Sequence, residues 1–256
     1  MTEGLPEPDN DPENTGRRLR LVQLLPNMMT LAAICAGLTA MRFSFEGDAV
    51  RAMVLIVLAA VLDGLDGPTA RLLKSESAIG AELDSLADFV NFGVAPGLIL
   101  YFWVLQEGRA FGWIAVLIYA ICCGLRLARF NVHSRSENRP KSPFFMGVPA
   151  PGAALLVLLP LVLSQVTPDW IDPILPGFTA LWLLAVGLLM ISRMPTPAAK
   201  SMRIHRDHAG FLMVAVVAVA GAFLTWPWPM LLVLELGYIA VLIVFALRHR
   251  GHHRHV

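Results

Sequence analysis

Long apolar stretches separated by short polar breaks run the length of the chain. A hydrocarbon core about 30 Å thick takes about 20 mostly apolar residues as a helix, and stretches of that size occur at 28–45, 50–72, 84–106, 111–130, 149–167, 174–192, 209–226 and 229–248. Several of the breaks carry turn chemistry: Glu46-Gly47-Asp48, Gln106-Glu107-Gly108, Thr167-Pro168-Asp169 and Trp226-Pro227-Trp228-Pro229. Such short connections suit helical hairpins. The expected fold is all-α, a polytopic integral membrane bundle of about eight transmembrane helices.

Composition agrees. Of 256 residues, 56% are hydrophobic and 15% charged, with a mean hydropathy of +0.63; a soluble domain carries about 25% charged residues. The net charge of +1 acquires meaning only from where the charges fall. If the spans alternate, every Lys and Arg except Arg42, Arg51 and Arg109 lies on the side of the N-terminus, the 73–83 turn, the 126–148 and 193–208 loops and the C-terminus. The positive-inside rule makes that side, with both termini, cytoplasmic. The asymmetry also favours an even span count, because one span more or fewer would divide the basic set between the two faces.

The ends are expected to be tails around one membrane domain: residues 1–20 a disordered cytosolic tail, acidic at first, 21–248 the membrane domain, and 249–256 a basic, His-rich cytosolic tail that reads as a headgroup-facing anchor. Cys35, Cys122 and Cys123 sit in apolar stretches, without disulfide or zinc spacing. No internal repeat is evident, which weakens an inverted-repeat transporter, and no nucleic-acid partner is expected.

The chemistry gathers where carboxylates are costly. Asp63 and Asp66, three apart near the cytoplasmic end of the second span, share a helix face; Asp84 and Asp88, four apart at the start of the third, share another. A turn of about ten residues joins these antiparallel neighbours, so the four carboxylates can converge. Four negative charges in a low dielectric require cations, and an all-oxygen donor set suits Mg²⁺ or Mn²⁺; the competing reading makes them interfacial caps or partners of Arg71 and Lys74. Gly67 and Gly80 leave the backbone open to a bulky ligand, and Arg71, four residues after Gly67, offers a fork for phosphate. Together these features describe a pyrophosphate site at a membrane surface.

The stretch Asp63-Gly64-Leu65-Asp66-Gly67-Pro68-Thr69-Ala70-Arg71, with Gly80, Asp84 and Asp88, matches every fixed position of D-x2-D-G-x2-A-R-x8-G-x3-D-x3-D, and so resembles the CDP-alcohol phosphotransferase family. Flanking segments resemble its phosphatidylserine synthase branch: Leu25-Pro26-Asn27-Met28-Met29-Thr30, Phe92-Gly93-Val94-Ala95-Pro96, Leu125-Arg126-Leu127-Ala128-Arg129-Phe130-Asn131, Gly147-Val148-Pro149-Ala150-Pro151 and Ser192-Arg193-Met194-Pro195-Thr196. Two positions depart from the usual pattern: Asn91, where many members of the branch carry Ser, and Pro68 inside the signature.

The resemblance implies transfer of a phosphatidyl group from CDP-diacylglycerol to the hydroxyl of L-serine, giving phosphatidylserine and CMP. It implies that Asp63, Asp66, Asp84 and Asp88 hold two divalent cations, that Asp66, Gly67, Ala70, Arg71 and Gly80 border the CDP-lipid, and that Asp88 is the base. It further implies a homodimer in membrane lipid, expected in a bacterial inner membrane with the site facing the cytoplasm. Serine is a zwitterion, and Arg126, Arg129 and Asn131 are the candidates to hold it; an ordinary basic collar explains these residues equally well. Arg193 is a weaker candidate. Glu235, alone in the last span, reads as a packing residue. Trp103, Trp113 and Trp182 read as lipid-facing bulk or interfacial anchors. The alternatives are another acceptor, such as glycerol 3-phosphate, inositol phosphate or choline, and, remotely, an ion-coupled transporter.

Overall fold

The computed structural model describes residues 24–75, 77–135, 144–167, 175–192, 195–197, 221–223 and 225–250. In chain order the helices are α1 (Leu25–Phe45), α2 (Ala49–Leu73), α3 (Ala78–Asp88), α4 (Ala95–Trp103), α5 (Arg109–Arg135), α6 (Ala150–Val157), α7 (Leu159–Ser164), α8 (Leu175–Ile191) and α9 (Pro227–Arg250). A π-helical segment, Phe89–Val94, joins α3 to α4 without a break. Among the described residues, four helical stretches are long and apolar enough to cross a membrane: Leu25–Phe45, Ala78–Trp103, Ala110–His133 and Pro227–Phe245. The chain is a helical membrane protein.

The apolar stretches fall on helices wherever residues are described, with instructive differences at their edges. The third begins at Ala78 rather than 84, because the Ser77 hydroxyl accepts the Gly80 N–H at 3.0 Å and starts the helix in a polar stretch that hydropathy passes over. The fifth is two short helices, α6 and α7, with Leu158 between them. Most of 209–226, the N-terminal tail, residues 251–256 of the C-terminal tail and Arg193 lie outside the described residues, while 249–250 continue the last helix. One departure from an all-α chain is a small antiparallel ladder, β1 (Phe144–Met146) on β2 (Pro195–Pro197), pairing Phe145 with Thr196.

Small side chains set the packing. Thr30, Ala33, Ala36, Gly37, Ala40 and Ser44 form the buried stripe of α1, and Ala49, Ala52, Ile56 and Ala59 contribute much of that of α2. In a lipid solvent the drive to associate comes from close van der Waals contact, so small residues at i, i+3 and i+4 bring helix axes together. The α1–α2 turn closes on Gly47, whose φ of +86° suits a residue without Cβ. Asp48 then caps α2 by accepting the Arg51 N–H at 2.9 Å. Helix α2 runs through Pro68 to a left-handed Lys74 (φ 51°), so the proline interrupts nothing.

Proline leaves its mark elsewhere. A proline removes the donor that would meet the carbonyl four residues earlier, and at Pro160 that carbonyl is Leu156. The Trp182 indole N–H donates to the Leu156 carbonyl at 2.7 Å, so this tryptophan is an internal hydrogen-bond donor rather than lipid-facing bulk. Trp113 keeps the expected exposure, edge-on to Tyr101.

Helices α1 and the π segment meet at Gly37, where a Cβ would collide with the Asn91 side chain. Overpacking of this kind costs about 1–3 kcal/mol. Gly37→Val is therefore expected to lower the thermal midpoint of the detergent-purified protein, whereas Gly177→Ala, at a position with nothing within 4 Å of the added Cβ, leaves it unchanged.

Candidate active site

The end of α2 and the start of α3 are bound to the start of α1. Asp66, only 7% exposed, points back into α1, where the buried Thr30 hydroxyl donates to its Oδ2 at 2.6 Å, with the Pro26 carbonyl 3.1 Å away. Asn27, one turn before Thr30, fills the space above Gly80: a Cβ there would lie 2.8 Å from Asn27 Oδ1 and 3.0 Å from Ser77 Oγ. Gly80 thus lets α3 approach α1.

Helical spacing and this approach bring the aspartates together. Carboxylate oxygens of Asp63, Asp66 and Asp84 lie within 4.8 Å of one another. Asp88 stands outside that trio and joins it through Asp63, whose carboxyl it contacts. Asp63 Oδ1 and Asp88 Oδ1 are buried without a hydrogen-bond partner. Among the described residues the ion pairs are Arg42–Glu46 and Arg51–Asp48, around the α1–α2 turn at the other end of these helices. Neither Arg71 nor Lys74 closes on the four aspartates. Carboxylates gathered in a poorly solvated setting repel one another and lack hydration, and orphaned oxygens with an all-oxygen donor set are what a hard divalent cation requires. The residues fit such an ion.

The remaining candidates surround this centre. Arg71 lies exposed at the end of α2, its Nη1 3.7 Å from where a Gly67 Cβ would stand; the guanidinium folds over Gly67 as the four-residue spacing suggests. Ala70 is half-buried on the preceding position. From α5, the Asn131 amide donates to Ser85 Oγ at 3.0 Å, beside Asp84. Arg126 lies within electrostatic range of Asp88 and of Tyr238 of α9, and its Nε is buried without a partner. Arg129 turns aside: its Nη1 donates to the Ile191 carbonyl at the end of α8 at 3.0 Å, while Nη2 is buried and unpartnered. An ordinary collar of headgroup-facing cations would have its donors in solvent, and these two arginines have buried ones.

The family model described as CDP-alcohol phosphatidyltransferase matches residues 23–192. The chain belongs to that family. Curated relatives include the CDP-diacylglycerol–serine O-phosphatidyltransferase of Mycobacterium tuberculosis (strain CDC 1551 / Oshkosh), 39% identical over 236 residues, covering 91% of this chain and 81% of the relative. Proteins of the same name from Helicobacter pylori (strain J99) and Bacillus subtilis (strain 168) are 37% and 34% identical, covering 70% and 69% of this chain and 74% and 91% of their own.

Three residues of this CDP-alcohol phosphatidyltransferase site carried no assigned role in the sequence. Thr30 and Asn27 sit in the quoted Leu25–Thr30 segment, and their spacing of three on one helix face was the available signal; what they touch lies tens of residues away. Tyr238 gave no signal at all, being one aromatic residue in an apolar helix. Because Thr30 supplies the hydrogen bond to a buried carboxylate, Thr30→Val leaves Asp66 Oδ2 without its donor, at a cost of about 1–3 kcal/mol. The expected result is a lowered thermal midpoint, which Thr30→Ser largely restores.

Proposed function

We propose that this protein transfers the phosphatidyl group of CDP-diacylglycerol to the hydroxyl of L-serine, releasing CMP. The observation that carries this reading is the convergence of Asp63, Asp66, Asp84 and Asp88, with orphaned oxygens and, among the described residues, no basic partner at ion-pair distance. The acceptor follows the names of its relatives and the buried Arg126 donor near Asp88.

The four aspartates would hold two divalent cations, Mg²⁺ or Mn²⁺, which when bound supply charge neutralisation to the pyrophosphate and to the departing CMP. The chain's own residues do the rest. Arg71, folded over Gly67, holds phosphate oxygens in its fork, and Ala70 and Gly67 keep that edge low enough for the CDP group to lie against helix α2. Gly80 serves the same edge by letting α1 and α3 close beneath it. Asp88 takes the proton of the serine hydroxyl as that oxygen attacks the phosphorus bearing the diacylglycerol. Arg126 and Arg129 offer their free donors to the serine carboxylate, and Asn131 supplies an amide near Asp84. The protein's part in catalysis is chiefly alignment and charge placement.

The same reading includes about eight spans with both termini and the site on the cytoplasmic side, in a bacterial inner membrane, and a homodimer within the lipid. Its support is the distribution of Lys and Arg and, for the dimer, family resemblance.

The test is CMP release by the purified protein from CDP-diacylglycerol with Mn²⁺ or Mg²⁺. Release is expected with L-serine and not with glycerol 3-phosphate, inositol phosphate, choline or no acceptor, and EDTA abolishes it; release that depends on another alcohol overturns the serine assignment. Asp88→Asn is expected to reduce turnover by about 10²–10⁴-fold while the protein still purifies as a folded species. Arg126→Ala is expected to raise the KM for serine while leaving that for CDP-diacylglycerol within about twofold, since loss of a contact to one substrate weakens that substrate's binding.

A further inference from the structure

The connection between α3 and α4 is wound more loosely than the helices on either side. Over Phe89–Val94 the backbone is π-helical, with the Ala95 N–H reaching back five residues to the Val90 carbonyl. A single π turn inserts one extra residue into a helix and turns the residues before it relative to those after it; such turns concentrate at functional sites. Asp88 is the last residue before this one.

The segment is pinned at one point. The Phe92 carbonyl has no α-helical donor, because position 96, four residues on, is Pro96. The Tyr119 hydroxyl donates to that carbonyl at 2.7 Å from across the helix pair, and Tyr119 and Phe92 are both 0% exposed. Leu156, Pro160 and Trp182 form the same arrangement, but well away from the aspartates. Tyr119 reaches its target because α5 lies close against this segment: a Cβ on Gly93 would stand 3.0 Å from Cys123 Sγ, and one on Gly97 3.0 Å from Val116 Cγ1. Val116, Tyr119 and Cys123 are the successive members of that α5 face.

We propose that Tyr119 is a positioning residue for Asp88: by donating to the carbonyl that Pro96 leaves open, its hydroxyl holds the π turn, and the π turn sets the direction in which Asp88 meets Asp63. The inference rests on the proposed role of Asp88 as base. The hydroxyl works through backbone geometry and touches no substrate, so its removal acts on turnover rather than on substrate binding.

The experiment compares Tyr119→Phe, Pro96→Ala and the double variant, purified in detergent, by CMP release with L-serine, by thermal midpoint, and by titration with Mn²⁺ alone followed by electron paramagnetic resonance. Tyr119→Phe is expected to lower kcat by about ten- to a hundredfold, the scale of a small misplacement, to leave both KM values within about twofold, and to weaken Mn²⁺ binding severalfold. In the double variant the Pro96→Ala change returns a backbone N–H to the Phe92 carbonyl, so the thermal midpoint recovers, while kcat stays low because the segment is free to rewind as α-helix. Recovery of kcat along with the midpoint overturns the proposal, since the hydroxyl would then only satisfy a carbonyl. Wild-type kcat and Mn²⁺ affinity in Tyr119→Phe overturn it as well. If Tyr119→Phe does not fold, the double variant alone decides: lowered kcat with unchanged KM supports the proposal, and full turnover defeats it. Asp88→Asn separates the two readings, because an inactive Asp88→Asn beside a fully active Tyr119→Phe sinks this inference only, whereas an active Asp88→Asn sinks the base assignment itself.

Discussion

Four carboxylates without an ion-pair partner among the described residues govern the design of this protein. Asp63, Asp66, Asp84 and Asp88 belong to helices that pack into a lipid-facing bundle, and neither neighbouring Arg71 nor Lys74 closes on them. Their mutual repulsion and lost hydration oppose the folded arrangement. The surrounding structure has to hold them against that force until a ligand answers the charge. Helix α1 does much of the holding: its Thr30 hydroxyl binds Asp66, and its Asn27 sits over Gly80 at the start of α3. Although α1 contributes no residue to the signature, it is a wall of the site.

The packing rules of membrane helices and the needs of the site coincide. Alanine and glycine stripes on α1 and α2 allow the axes to come close, and closeness lets short side chains such as Thr and Asp reach one another across a helix pair. Larger residues would separate the helices and leave the carboxylates farther from both their donor and one another. Dispersion contacts among small groups thus maintain an electrostatic centre that is unfavourable by itself.

How much was legible in the sequence follows from the range of each interaction. The pairs Asp63/Asp66 and Asp84/Asp88 were readable because three- and four-residue spacing fixes a common face whatever surrounds the helix; so was Arg71 over Gly67. Most span positions were readable from hydropathy, yet the start of α3 was not, since a serine cap decided it. The bent fifth span and the β1–β2 ladder lie below the resolution of an apolar pattern. Thr30 with Asp66, Tyr119 with Phe92 and Trp182 with Leu156 are meetings between distant parts of the chain, and periodicity says nothing about which helix comes to lie beside which. The arginines were a mixed case: their presence at the end of α5 was plain, but only the fold separates Arg126, near Asp88, from Arg129, bonded to the end of α8.

The π turn between α3 and α4 changes what counts as distance along this chain. In a regular helix the number of residues between two positions gives their angular relation, and a comparison of sequences silently assumes it. Across Phe89–Val94 that arithmetic slips by about one residue: everything from Ala95 onward is out of phase with Asp84 and Asp88. The acidic face of α3 and the apolar face of α4, which one continuous amphipathic pattern would force into a single line, are thereby set independently. One membrane-crossing rod can hold charge toward α2 at one end and pack tightly on α5 at the other, with the phase step between them as its only concession.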